Sequence, residues 1–131
     1  MRKTLSALLL AAMTTGSAFA DWSHVWGNDV LDAYVEPDSI RMKGNKVVAQ
    51  AMFDFKKPSE FLGNEFRSTV NVYEFDCENE RLKALESVWY AESKGEGAIV
   101  DSSSLTYKWN RAIPATPGYA LMQYACERKS Q

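Results

Sequence analysis

Histidine occurs once in this chain, at position 24, and cysteine twice, at positions 77 and 126. So small a stock of ligating side chains leaves no CxxC pair and no local His–Cys cluster, which argues against a zinc site or a thioredoxin-like redox pair. Gly95-Glu96-Gly97 lacks both the third glycine and the surrounding βαβ pattern of a phosphate-cradling loop. No apolar run reaches the roughly 20 residues that a membrane-spanning helix needs. A positive surplus is missing too: 15 Lys and Arg stand against 17 Asp and Glu, for a net charge of −2. That balance argues against nucleic acid, which is bound through a basic face. The short runs Lys56-Lys57 and Arg128-Lys129 read as solvated surface and not as a membrane patch.

What is present begins with an export signal. Arg2 and Lys3 open the chain, Leu5 to Met13 is apolar, and Ala18-Phe19-Ala20 is a small-residue cleavage site before Asp21. Residues 1–20 are therefore expected to be removed, leaving 21–131 as one domain. Losing the two basic residues takes the net charge from −2 to −4. Asp21 offers no thiol for lipid attachment. The expected destination is the periplasm, with the cell surface or secretion as alternatives. In an oxidising compartment the even pair Cys77 and Cys126 is expected to be bridged. The bridge would stabilise the fold by about 4 kcal/mol on the chain-entropy model.

Along 21–131 the dominant pattern has period two, the mark of half-buried antiparallel strands. Val47, Ala49, Ala51, Phe53 and Phe55 share one face of a strand over 46–55, after a turn at Lys43-Gly44-Asn45. Residues 34–42 can supply a preceding partner strand, interrupted at Pro37-Asp38. A second long strand covers 66–77, with Thr69, Asn71, Tyr73, Phe75 and Cys77 on one side. A third returns over 81–92, where alternation sets Leu82, Ala84, Val88 and Tyr90 opposite Leu85 and Trp89. The Gly- and Ser-rich stretch 93–104 reads as a flexible connection with a short strand at 98–100, and 106–113 as one more strand. The period then changes: Thr116 as N-cap and Pro117 at the first helical position predict a helix over 117–128, with Leu121, Tyr124 and Ala125 on one face. Cys77 and Cys126 would staple that helix to one face of the sheet, leaving the other free for a partner or a second copy.

Trp22, Ala33-Tyr34-Val35 leading to Asp38-Ser39-Ile40, the Gly44 turn into Val47-Val48, Arg67-Ser68, Tyr73-Glu74-Phe75-Asp76-Cys77, the Gly95 to Gly97 loop, Trp109 before Ile113-Pro114 and a closing helix with Cys126 follow one another along the chain. In this order and spacing the sequence resembles the surface-adhesin protein E family of exported proteobacterial proteins. The resemblance implies an α+β fold: an antiparallel β-sheet of about six strands whose concave side is covered by a C-terminal α-helix, tethered by a disulfide. It further implies display at the outer surface, binding of host matrix proteins and haem, and dimer formation. Asp21 departs from the lipid-bearing Cys that such display would use, which sets a periplasmic role beside a surface one.

Residues able to do chemistry are few. His24, between Trp22 and Trp26, can serve as base, metal ligand or axial haem ligand; the plain reading is a surface or strand-edge histidine. Glu74 and Asp76 share a strand face and could pair for acid–base work or calcium, but without a third oxygen ligand they read as a solvated face. Ser102-Ser103-Ser104 has no nucleophile-elbow context and reads as linker. The aromatic set is more informative. Trp89 and Trp109 are expected to fill the core beneath the helix, while Tyr90 and Tyr107 are as readily turned outward to a partner. With no catalytic constellation in view, the expected function is non-enzymatic: a binding module that recognises a protein partner, either a cell-envelope or a host extracellular-matrix component, through its sheet surface. The alternative is a periplasmic carrier of a small ligand such as haem, held by Trp89, Tyr90, Tyr107, Trp109 or His24. No cofactor or metal is called for by the residues themselves.

Overall fold

The structure, a computed structural model, describes residues 21–104 and 108–129. The expected export signal and Tyr107 lie outside the described residues. In chain order the strands are β1 (Ser23–Gly27), β2 (Leu31–Val35), β3 (Arg41–Lys43), β4 (Lys46–Phe61), β5 (Asn64–Asp76), β6 (Arg81–Tyr90), β7 (Ile99–Ser103) and β8 (Asn110–Arg111), followed by helix α1 (Pro117–Glu127). All pair antiparallel in one sheet of eight strands: six follow the order β1-β2-β4-β5-β6-β7, while β3 joins β4 and β8 joins β6. The expectation of about six strands is met by the main path and exceeded by the two short ones.

Alternation builds the inner face. Val47 lies opposite Phe75, Ala49 opposite Tyr73 and Ala51 opposite Asn71, so the odd-numbered residues of β4 and β5 point together toward the helix. Ala33, Ala49 and Ala51 are at most 1% exposed, and their small side chains let α1 approach closely. Leu121, Met122 and Ala125 of α1 fill the space against Val35, Val47 and Phe75. The helix starts as its sequence dictates: Pro117 needs no N–H partner in the first turn, and the Tyr119 N–H donates to Thr116 Oγ1 at 3.4 Å. Beyond its last turn, Arg128 donates to the Tyr124 carbonyl at 3.2 Å, which suits the negative helix end. Cys77 and Cys126 form the disulfide, with Cα atoms 6.0 Å apart.

The outer face is not free. Residues after β6 fold back across it as a strap: the Gly95 N–H donates to Ser68 Oγ at 2.8 Å, and Ser68 Oγ donates to the Glu92 carbonyl at 2.6 Å. The Lys94 N–H reaches Asp54 Oδ1 at 3.1 Å, and Lys94 Nζ donates to the Tyr34 hydroxyl at 3.1 Å, which raises the lysine's pKa. Gly95 has a φ of +70°, and a Cβ there would lie 3.1 Å from Val70 Cγ2, so the strap presses glycine onto the apolar outer face at Val70 and Met52. The stretch read as a flexible linker is thus a strap followed by β7, and Ser102 and Ser103 are strand residues.

Glu74 and Asp76 depart from their expected solvated face. They are 5% and 1% exposed and pair with cations from flanking strands. Asp76 accepts from Arg81 at 2.7 Å, with Lys46 at 3.9 Å; Glu74 faces Lys83 at 3.4 Å and Lys43 at 3.8 Å. The reason is cross-strand register, which sequence spacing alone does not reveal. A second correction lies in β6. A bulge there breaks the register between Val72 and Tyr73, so Leu82 and Ala84 point inward together with Ser87 and Trp89, while Lys83, Glu86, Val88 and Tyr90 point outward. Strict alternation had joined Leu82 and Ala84 to Val88 and Tyr90. The strand expected over 106–113 is, among the described residues, only the two-residue β8.

Candidate functional site

The helix packs mainly on β1, β2, β4 and β5 and meets β6 at Leu82, which lies against Gly118. There the sheet forms an open recess of about 350 Å3, lined by Tyr73, Leu82, Lys83, Ala84, Ser87, Trp89 and Asn110. The far end of the long β4–β5 hairpin meets one lining residue, Trp89. A bulge between Asp54 and Ser59 redirects that hairpin, and Arg67 braces the bend by donating to the Phe55 and Lys56 carbonyls. Phe61 then stacks on Trp89 with centroids 4.7 Å apart and planes 6° from parallel. Leu62 and Gly63 form the tip, both with positive φ, and Leu62 is 80% exposed.

The lining residue Ser87 is polar and sunk, and further buried polar groups lie beside it on β5. Asn71 lies opposite Ser87 and Thr69 opposite Trp89; Asn71, Thr69 and Ser87 are at most 7% exposed. Asn71 Nδ2 donates to Thr69 Oγ1 at 3.1 Å, which fixes the amide orientation. Tyr73, edge-on to Phe53, has its phenol pushed up to about 12 by burial, so it remains a neutral hydrogen-bonding group at physiological pH. Apolar walls over a few fixed polar groups are the usual make-up of a recognition pocket. A second concavity of about 320 Å3 lies beside Asp29, Val30, Phe55, Lys57, Pro58 and Ser59.

The sequence-proposed residues do not converge. Trp89 walls the recess, in partial agreement with its expected core position. Trp109 is not beneath the helix: its half-buried ring lies on the outer face, 4.6 Å from Lys83 Nζ and 5.2 Å from Arg81 Cζ. Tyr90 points outward, and Tyr107 is outside the described residues. His24 sits on edge strand β1, where its Nε2 lies 2.9 Å from Asp32 Oδ1 and its ring packs edge-on to Tyr34. That hydrogen bond lowers the Asp32 pKa. Gly27 makes room for the pair, since a Cβ there would lie 2.5 Å from Asp32 Oδ1. Among the described residues, no three His, Cys, Asp or Glu side chains gather as a metal-binding set. No described helix is long and apolar enough to cross a membrane. Tyr73, Leu82, Lys83, Ala84, Ser87 and Asn110, which line the recess, were missed as candidate site residues. The polar–aromatic alternation Thr69, Asn71, Tyr73 on a core-facing side was the available signal.

The sequence profile of surface-adhesin protein E matches residues 22–127. The chain belongs to that family. No curated protein sequence matches it. Among solved structures, Haemophilus influenzae protein E in its crystal form II is similar at a TM-score of 0.66 and 18% identity, covering 84% of this chain and 90% of that one. Protein E from non-typeable Haemophilus influenzae is similar at a TM-score of 0.61 and 19% identity, covering 81% and 75%. At such identity the likeness to protein E is one of fold. The family profile spans Cys77, Cys126 and every described strand of the sheet.

Proposed function

We propose that this surface-adhesin protein E family member is an exported, non-enzymatic binding module that recognises a protein partner, either a cell-envelope or a host-matrix component, through the inner face of its sheet. The observation that carries the reading is the recess beside β6. It is lined by Tyr73, Leu82, Ala84, Ser87 and Trp89, Trp89 is stacked on Phe61, and the buried Asn71–Thr69 pair lies opposite Ser87 and Trp89 on β5. A partner's aromatic side chain with a polar tip would fill it and hydrogen-bond to Ser87 or to the Tyr73 hydroxyl. Removal of residues 1–20 and delivery of 21–131 to the periplasm, or onward to the surface, belong to the same proposal.

Haem carriage through His24 is the weaker reading. His24 is on β1, at the opposite end of the sheet path from β6, and its ring is engaged by Asp32. The test is saturable binding of envelope and matrix proteins to the purified protein, compared with Ala84→Gln, which fills the recess with a longer neutral side chain. The expected result is at least about tenfold weaker binding, some 1.4 kcal/mol, with an unchanged thermal midpoint. No saturable partner, or equal binding by the variant, would count against the proposal.

A further inference from the structure

Basic residues that the chain keeps far apart are brought into two rows by strand register. Lys43 lies opposite Lys46, Asp76 opposite Arg81, and Arg81 opposite Arg111. Extending the Val47–Phe75 pairing by one residue puts Lys46 opposite Asp76, and the two side chains meet at 3.9 Å. Directly opposed residues point to the same face. One row therefore crosses five strands as Lys43, Lys46, Asp76, Arg81 and Arg111. The next row on that face runs Arg41, Val48, Glu74 and Lys83, with Trp109 at its end.

Six cations thus share one end of the outer face with two carboxylates. Both carboxylates are sunk, at 5% and 1% exposed, whereas Arg41, Lys43 and Arg111 are exposed. The local surplus is four positive charges on a chain whose total is −2, which leaves −6 for the rest. Exposed Glu86, further along β6, bounds the patch. With neighbouring strands about 4.8 Å apart, a row over five strands is roughly 19 Å long. Such a line of charge matches an extended polyanion better than a single small ion, and the indole beside it offers a flat apolar surface for a sugar ring.

We propose that this patch binds a linear sulfated polysaccharide, with sulfates on the exposed cations and a sugar ring against Trp109. The choice of glycan over nucleic acid rests on the exported-module reading above, since an exported protein meets glycans. The patch and the recess share Lys83, but the recess is not lined by Arg41, Lys43 or Arg111 and the patch does not include Ala84, so the two can fail separately. The test is calorimetric titration of the purified protein with a size-defined heparin oligosaccharide across a salt series. It is repeated with the triple variant Arg41→Gln, Lys43→Gln, Arg111→Gln and with Ala84→Gln, folding being checked by circular dichroism. Expected are saturable binding that weakens with salt, loss with desulfated heparin, at least about tenfold weakening and a shallower salt dependence in the triple variant, and no change in Ala84→Gln. Absent heparin binding, a triple variant that binds as wild type, or tighter binding of a single-stranded oligonucleotide or anionic vesicle would overturn the proposal.

Discussion

The carboxylate of Asp76 is withdrawn from solvent yet remains charged, because Arg81 donates to it at 2.7 Å and Asn79 at 3.0 Å. Those two hydrogen bonds hold its pKa well below the usual carboxylate range. A folded-state pKa below the unfolded one contributes stability that is complete above the ordinary carboxylate pKa and is lost as pH falls toward the folded value. Urea midpoints are therefore expected to drop below about pH 5, and Asp76→Asn to be less stable at neutral pH and to show a flatter acid limb. An acid limb of unchanged slope in the variant would assign the effect to other carboxylates. Tyr73 carries the opposite sign: burial raises its pKa to about 12, so its contribution is present below the ordinary tyrosine range and is lost as pH rises through that value. Ultraviolet titration should resolve one late-ionising phenol that disappears in Tyr73→Phe. Neither property was legible from the sequence. Alternating Glu74 and Asp76 look the same whether water or a neighbouring strand's arginine faces them, and only the register decides.

Local signals read true at the scale of the element. Thr116-Pro117 fixed the helix start because capping is a matter of adjacent residues, and 46–55 read as strand because Val47, Ala49 and Ala51 alternate without interruption. Alternation failed in β6, where an extra residue shifts the parity and moves Trp89 to the side of Ala84. Composition misread the strap, since Gly95 and Gly97 signal turns whether a loop floats or is clamped. The clamp predicts that Gly95→Ala costs about 1 to 2 kcal/mol, from a positive φ together with the Val70 contact. Gly44→Ala is the control: it has a φ of +60° and nothing within 4 Å, so it should cost less in the same denaturant melts. Equal losses would mean that the strap does not press on the sheet. The Cys77–Cys126 bridge spans a separation of 49 residues, and reducing it should lower the unfolding free energy by about 4 kcal/mol. Melts that coincide with and without reductant would contradict this.

Taken as a whole molecule, the two faces of the sheet differ in character. The inner face is apolar under α1 and becomes a half-polar recess beside β6; the outer face is closed by the strap and carries a row of cations at one end. The two-layer helix-on-sheet plan was readable because period two runs through the long strands and gives way once, at α1, to period 3.6. The recess was not, since the β6 bulge is what brings Leu82 and Ala84 to the same face as Ser87 and Trp89. Its role is tested most directly by photo-crosslinking from β6 to a bound protein partner, with a reactive aromatic side chain placed at Ala84 or at Glu86. The bulge lies between them, and β6 carries them on opposite faces of the sheet, inward for Ala84 and outward for Glu86. Capture from position 84 alone is the predicted result, and capture from position 86 alone, or equally from both, would contradict it.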